Sequence, residues 1–250
     1  MIDQLRIPIW GEARVGLEHA ALRRHAVFRG EGVVPGHGAP VLLVPGFLAG
    51  DISLAIMAQW LDRVGYRPCR AGIRANVDCT SRALGRLDAQ LERFAERHGR
   101  QVTIVGQSRG GSLARILAVR RPDLVAGIIC LGAPVIDPLA VHPFVRAQVE
   151  AVAVLGSLGV RGLFSHACRF GACCRQARID ATAAWPQHVA FTSVYSRSDG
   201  IVDWRSCLDP DARHVEVRSS HVGMAVNAAV YVVVAEALAA GRADTWGAAA

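Results

Sequence analysis

The sequence predicts an α/β fold: a doubly wound, mostly parallel sheet with an inserted, mainly helical cap. Three observations carry this. Apolar or β-branched runs such as Val41-Leu42-Leu43-Val44 and Val102-Thr103-Ile104-Val105 alternate with segments of helical spacing, the pattern of parallel strands joined by crossover helices. The alternation stops between Ala133 and Pro186, where no strand is evident, and then resumes. A length of 250 residues suits one such domain with an insertion better than two domains. The core is assigned to residues 1–133 and 187–250, and the cap to residues 134–186.

Taken in order, residues 13–25 read as a helix and Ala26-Val27-Phe28 as a short strand. Gly30, Gly32, Pro35, Gly36 and Gly38 mark a loop. Val41–Val44 is apolar throughout, as a strand covered on both faces requires. A helix near Leu54–Val64 and a strand near Arg67–Gly72 follow. Leu84, Leu87, Leu91 and Phe94 form one apolar stripe over a long helix, about Ser81–His98. Val102–Val105, the helical run from Ser112 to about Arg121, and the apolar strand Leu124–Leu131 complete the first half. In the cap, Val145–Leu155 has helical spacing, interrupted at Gly156-Ser157-Leu158-Gly159. Val189–Tyr195 and Arg213–Arg218 read as strands, Val222–Ala240 as the last helix, and Gly241 onward as a frayed tail.

Composition narrows the chemistry. Every Lys/Arg position is arginine, which removes Schiff-base chemistry and a P-loop lysine. The net charge of +7 is spread along the chain without a dense basic tract, so nucleic-acid binding is not expected. No run of about 18 uncharged apolar residues indicates a membrane span. Asp3, Pro8, Glu12 and Glu18 break the N-terminus in a way a secretory signal does not tolerate. The expectation is a cytoplasmic protein, with peripheral membrane association left open. Seven cysteines are present, and Cys168, Cys173 and Cys174 cluster. A zinc site, a local disulfide and small buried residues are all readings of that cluster. It lacks two well-spaced C-x-x-C pairs, which weakens zinc. An intracellular setting weakens the disulfide.

The chemistry concentrates at Gly106-Gln107-Ser108-Arg109-Gly110, a G-x-S-x-G between a strand and a helix. The turn must be tight enough that glycines flank the serine, which then stands over a helix N-terminus. A serine hydroxyl needs a base and a group to orient that base. His221, in a loop between the last strand and the last helix, is the candidate base, with His214 a rival inside a strand. Asp199, just after a strand, is the candidate acid, with Asp203 its rival. The oxyanion donors are expected to be the amides of Arg109 and Phe47, the latter in Pro45-Gly46-Phe47-Leu48. Arg109 could also meet an anionic substrate through its side chain, although such a side chain more often points away.

These motifs together resemble the α/β-hydrolase superfamily, of the serine esterase and lipase type. The likeness runs from about residue 41 to 240, with proline at position 45 where many members carry histidine. It implies a Ser108, Asp199 and His221 triad, and neither metal nor organic cofactor. Serine at 108 argues against polyhydroxyalkanoate synthases, which use cysteine, and against dehalogenases and epoxide hydrolases, which use aspartate.

The cap is rich in Val, Leu and Ala, a composition that fits either an apolar acyl pocket or packing. The expected partner is a small-molecule or lipid ester, met by Phe47, Leu48, Gln107 and Val202. Ester hydrolysis through an acyl-enzyme is the expected reaction. An acyltransferase or thioesterase with the same triad is the alternative. Oligomeric state, acyl length and cysteine pairing are not legible.

Overall fold

A computed structural model of the chain describes residues 9–247; Asp3 and Pro8 lie outside that range. Six strands form one sheet: β1 (Pro40–Val44), β2 (Arg67–Arg70), β3 (Val102–Gln107), β4 (Val125–Leu131), β5 (Ala190–Tyr195) and β6 (Arg213–Glu216). Their order is β2-β1-β3-β4-β5-β6, and every pair is parallel. The helices are α1 (Val15–Arg24), α2 (Ala26–Arg29), α3 (Ala55–Arg63), α4 (Thr80–His98), α5 (Arg109–Arg120), α6 (Pro143–Ser157), α7 (His166–Phe170), α8 (Arg175–Asp180) and α9 (Ala228–Gly247).

All five residues of β1 are buried, because helices cover both faces of the sheet. Alternate strand residues serve opposite faces. Leu42, Val44, Ile104 and Ile128 pack with Leu84, Leu87, Leu113 and Leu117 of α4 and α5. Val41, Leu43, Val105 and Ile129 pack with Trp60 and Leu61 of α3 and Tyr231 and Val234 of α9. Each such side chain, fully buried, contributes about 1.5–3 kcal/mol. The edge strands β2 and β6 are more exposed and carry arginines at 67, 70 and 213, which discourages pairing with another chain.

The chain runs outward from β1 to β2, then returns to the other side of β1 as β3. That reversal opens a crevice beyond the carboxyl ends of β1 and β3, where open parallel sheets bind ligands. The loop after β1 and Ser108 after β3 both lie there.

The structure corrects several element assignments. Ala26–Arg29 is a helical turn rather than a strand. His25 Nδ1 accepts from the Val27 amide at 3.1 Å and so caps the turn. Val222–Val226 is a separate 3-10 turn, and α9 begins only at Ala228. Asn227 separates the two: its Oδ1 accepts from the Ala229 amide at 2.9 Å, and its Nδ2 donates to the Arg218 carbonyl at 3.1 Å. The helix then runs through Gly241 to Gly247. Gly156, expected as a break, lies within α6. Between β4 and β5 the chain forms α6, α7, a 3-10 turn and α8. From α8 onward it rejoins the core, with Ala177 and Trp185 packed beside Leu113 and Leu117.

Candidate active site

At the end of β3 the backbone makes an abrupt change. Ser108 has φ 51° and ψ −125°, a conformation L-residues rarely adopt. Its amide donates to the Leu131 carbonyl at 2.9 Å, and its carbonyl accepts from Gly111 at 2.9 Å. The flanking glycines are required by space. A Cβ on Gly106 would lie 2.5 Å from the Gly111 nitrogen, and one on Gly110 would lie 2.2 Å from the Val44 carbonyl oxygen. The strain at Ser108 is therefore held by the packing of α5 against β1 and β3.

His221 and Asp199 arrive from the loops after β6 and β5. His221 Nδ1 meets Asp199 Oδ2 at 2.7 Å, and both residues are buried. The other Asp199 oxygen accepts from the amides of Ile201 at 2.8 Å and Val202 at 2.7 Å. The carboxylate is thereby fixed with one oxygen on the ring. The ring and carboxylate pack on Gly132, the residue after β4. A Cβ there would lie 3.1 Å from His221 Nδ1 and 3.2 Å from Asp199 Oδ2. Leu131, which accepts from the Ser108 amide, is the neighbouring residue. Gln107, next to Ser108, donates from Nε2 to the His221 carbonyl at 3.0 Å. Ser108 is thus bracketed by two anchors to the His–Asp pair. Among the described residues, no hydrogen bond joins Ser108 Oγ to the ring, a contact that in enzymes without substrate is commonly long.

The N-terminal segment straps these loops from behind. One Glu12 oxygen accepts from the amides of Gly200 at 2.9 Å and His221 at 2.8 Å, and the other from Val222 at 2.9 Å. One carboxylate thus ties the loop of Asp199 to the loop of His221. Glu18 accepts from the Ser220 amide at 2.7 Å and its hydroxyl at 2.6 Å. Burial pulls His221 downward in pKa. The Asp199 charge, its hydrogen bond and the Glu12 charge outweigh that and hold it above the ordinary 6.5. Neither glutamate was legible as a site residue, since sequence distance hides which loop an isolated carboxylate reaches. The only available signal was a pair of acids on the helical segment over 9–24.

The loop after β1 lies across the crevice. A Cβ on Gly46 would sit 3.2 Å from Ser108 Cβ. Asn76 Nδ2 donates to the Pro45 carbonyl at 2.8 Å, and its amide donates to the Ala49 carbonyl at 2.9 Å. Phe47 pairs with Asn76 in an isolated bridge, and its ring lies 6.2 Å from that of Phe164. Leu48 is exposed, with φ 60°, a second strained non-glycine residue at this rim. The Arg109 amide is the first of α5 and has no intrahelical acceptor. Its side chain is held at the Asp78 turn: Nη2 donates to the Asp78 carbonyl at 2.6 Å, and the guanidinium lies 5.4 Å from the centre of the Phe164 ring.

The rivals have other duties. Asp203 accepts from the Arg205 amide at 3.0 Å and caps a 3-10 turn. His214 Nε2 bonds the Asp209 carbonyl at 2.7 Å. Of the residues expected to line the substrate, Gln107 is buried in its bond to His221. Val202 is buried with Val141 and Cys207. A cleft of about 200 Å³, lined by Pro40, Tyr66, Thr103 and Leu238, lies at the opposite ends of the strands and touches none of these residues.

No protein-family model matches the sequence, and neither does any curated protein. Solved structures do match in shape. A lipase of Bacillus licheniformis in its mature form superposes with a TM-score of 0.58 at 14% identity, covering 79% of this chain and 90% of the lipase. A monoacylglycerol lipase of Paleococcus ferrophilus gives 0.54 at 15%, covering 82% and 96%. A structure described under the metagenome-derived lipolytic enzymes LipS and LipT gives 0.56 at 18%, covering 84% of this chain and 99% of that one. The chain has the α/β-hydrolase fold. In this fold the turn at Ser108 and the loops that carry Asp199 and His221 all lie at the carboxyl edge of the sheet.

Proposed function

We propose that this chain, with its α/β-hydrolase fold, is a serine hydrolase cleaving carboxylic esters with an apolar acyl part. The observation that carries the reading is Ser108, raised on a strained elbow and anchored on both sides to a buried His221–Asp199 pair at 2.7 Å. His221 Nε2 takes the proton of Ser108 Oγ as that oxygen attacks the ester carbonyl carbon. Asp199 holds the ring through Nδ1 and stabilises the imidazolium. The amides of Phe47 and Arg109 donate to the oxyanion. As the tetrahedral intermediate collapses, the imidazolium gives its proton to the leaving alcohol. Water, activated by the same ring, then cleaves the acyl-enzyme and restores Ser108. No metal or organic cofactor takes part in this scheme.

The part of the inserted segment before α8 serves as the cap. It carries a run of exposed apolar residues, Ile136, Phe144, Val154, Leu155, Leu158 and Val160, and an ester with an apolar acyl part fits such a surface. The names of the lipase neighbours point the same way.

Incubation with p-nitrophenyl esters of graded acyl length tests the reading. Release of p-nitrophenol is expected, with Ser108→Ala losing more than about 10,000-fold in kcat. Equal release by the two proteins would overturn it.

A further inference from the structure

Apart from the Ser108 site, the fold gathers four cysteines. Cys79 lies at the start of α4, and Cys168, Cys173 and Cys174 lie in and after α7. Their four sulfurs all lie within 4.8 Å of one another. Cys79 and Cys174 are 3.4 Å apart, and Cys173 and Cys174 are 3.8 Å apart. All seven cysteines are free thiols. A tetrahedral ion with Zn–S bonds near 2.3 Å spaces its sulfurs by about 3.8 Å. Clusters of several irons hold their thiolates farther apart than that. We propose that Cys79, Cys168, Cys173 and Cys174 form a tetrathiolate site for a single zinc ion.

Two further observations point to a bound anionic centre. The first is an amide donor on sulfur, a contact that metal-bound thiolates receive: the Ser165 amide donates to Cys168 Sγ at 3.4 Å. The second is charge. Arg82 and Arg86 each reach the Asp78 carboxylate at 2.6 Å, and Arg109 donates to the Asp78 carbonyl. Among the described residues, Asp78 is the one carboxylate that Arg82 and Arg86 pair with, and Arg109 pairs with none. Arg109 Nε is closed to solvent and has no partner. Zinc with four thiolates is doubly negative, which offsets the charge of Arg109; Arg82 and Arg86 are more than half exposed and solvated by water. Four thiols lose their protons as the ion binds, so loading releases protons to the buffer.

The site would staple α7 and the turn after it to the Asp78–Cys79 turn. That turn also holds the side chain of Arg109, the residue that follows Ser108 in the chain. The spacing Cys168-x4-Cys173-Cys174 conceals the set, because the fourth ligand comes from the other half of the chain. The inference does not depend on the ester-hydrolase reading.

The test uses the untagged full chain, expressed with zinc and purified anaerobically without chelator. Elemental analysis is expected to find about one zinc per chain. Metal-free protein loaded with Co(II) is expected to give the intense sulfur-to-cobalt charge-transfer and tetrahedral ligand-field bands of a tetrathiolate site. Cys168→Ser with Cys173→Ser should lose both, while Cys69→Ser, outside the cluster, should keep both. Absence of stoichiometric zinc together with absence of the cobalt spectrum overturns the proposal. So does iron in place of zinc, zinc retained in the double variant, or a disulfide among the four in the anaerobic protein.

Discussion

The Glu12 carboxylate accepts the backbone N–H of His221 at 2.8 Å and, through the same oxygen, that of Gly200 at 2.9 Å. The loops carrying the candidate base and acid are thus joined by a side chain from the opposite end of the sequence. A hydrogen bond to a charged group contributes about 1.5–3 kcal/mol. On the ester-hydrolase reading, Glu12→Gln is expected to lower kcat/KM roughly 10- to 100-fold, by the same arithmetic. It should also move the acid limb of the pH profile downward, because Glu12 is one of the charges raising His221. A merely structural role would leave that limb in place.

The same proton equilibrium sets the pH dependence of the wild-type chain. A base acts when neutral, so kcat/KM should rise with pH along a limb whose midpoint lies above 6.5, the ordinary histidine value. Stability runs the other way. The folded value is raised, so the His221 contribution is complete below the unfolded value and is lost as pH rises through the folded one. Asp199→Asn removes the larger of the two raising charges. It should shift the limb to lower pH and reduce kcat severely, which a kcat/KM titration of both proteins measures. An unmoved limb in Asp199→Asn would contradict the pairing at 2.7 Å.

The elbow glycines should be intolerant of even one methyl group. A Cβ at Gly110 would stand 2.2 Å from a backbone oxygen of β1, which no rotamer change relieves. Gly110→Ala is expected to cost at least about 3 kcal/mol in urea unfolding. Gly85→Ala, where nothing lies within 4 Å, is the matched control and should be neutral or slightly stabilising.

Arg115 and Asp209 form a buried pair at 2.5 Å, with side chains only 7% and 5% exposed. Arg115 also donates to the Ala181 carbonyl at 2.8 Å, tying α5 to the segment after α8. Arg115→Met leaves a buried carboxylate unpaired and should destabilise by about 3–5 kcal/mol. Arg115→Met with Asp209→Leu should recover a large part of that loss. A double variant as unstable as the single one would place the cost in the lost Ala181 contact.

The sequence by itself determined the fold class and the order of the sheet-forming segments, because apolar runs and helical stripes are local patterns fixed by burial on one or two faces. It also marked Ser108, Asp199 and His221 as candidates, with Asp203 and His214 as rivals, since strand-turn-helix motifs write their constraints into neighbouring residues. Residues 26–28 read as a strand and 222–226 as part of the last helix, because caps such as His25 and Asn227 act through side-chain hydrogen bonds that periodicity does not record. Only the tertiary structure decided that Asp199 rather than Asp203 meets the ring, that Glu12 and Gln107 hold the histidine loop, and that Cys79 joins the cysteines of the inserted segment. Each of those depends on which distant loops share one edge of the sheet, and short-range pattern carries no information about that.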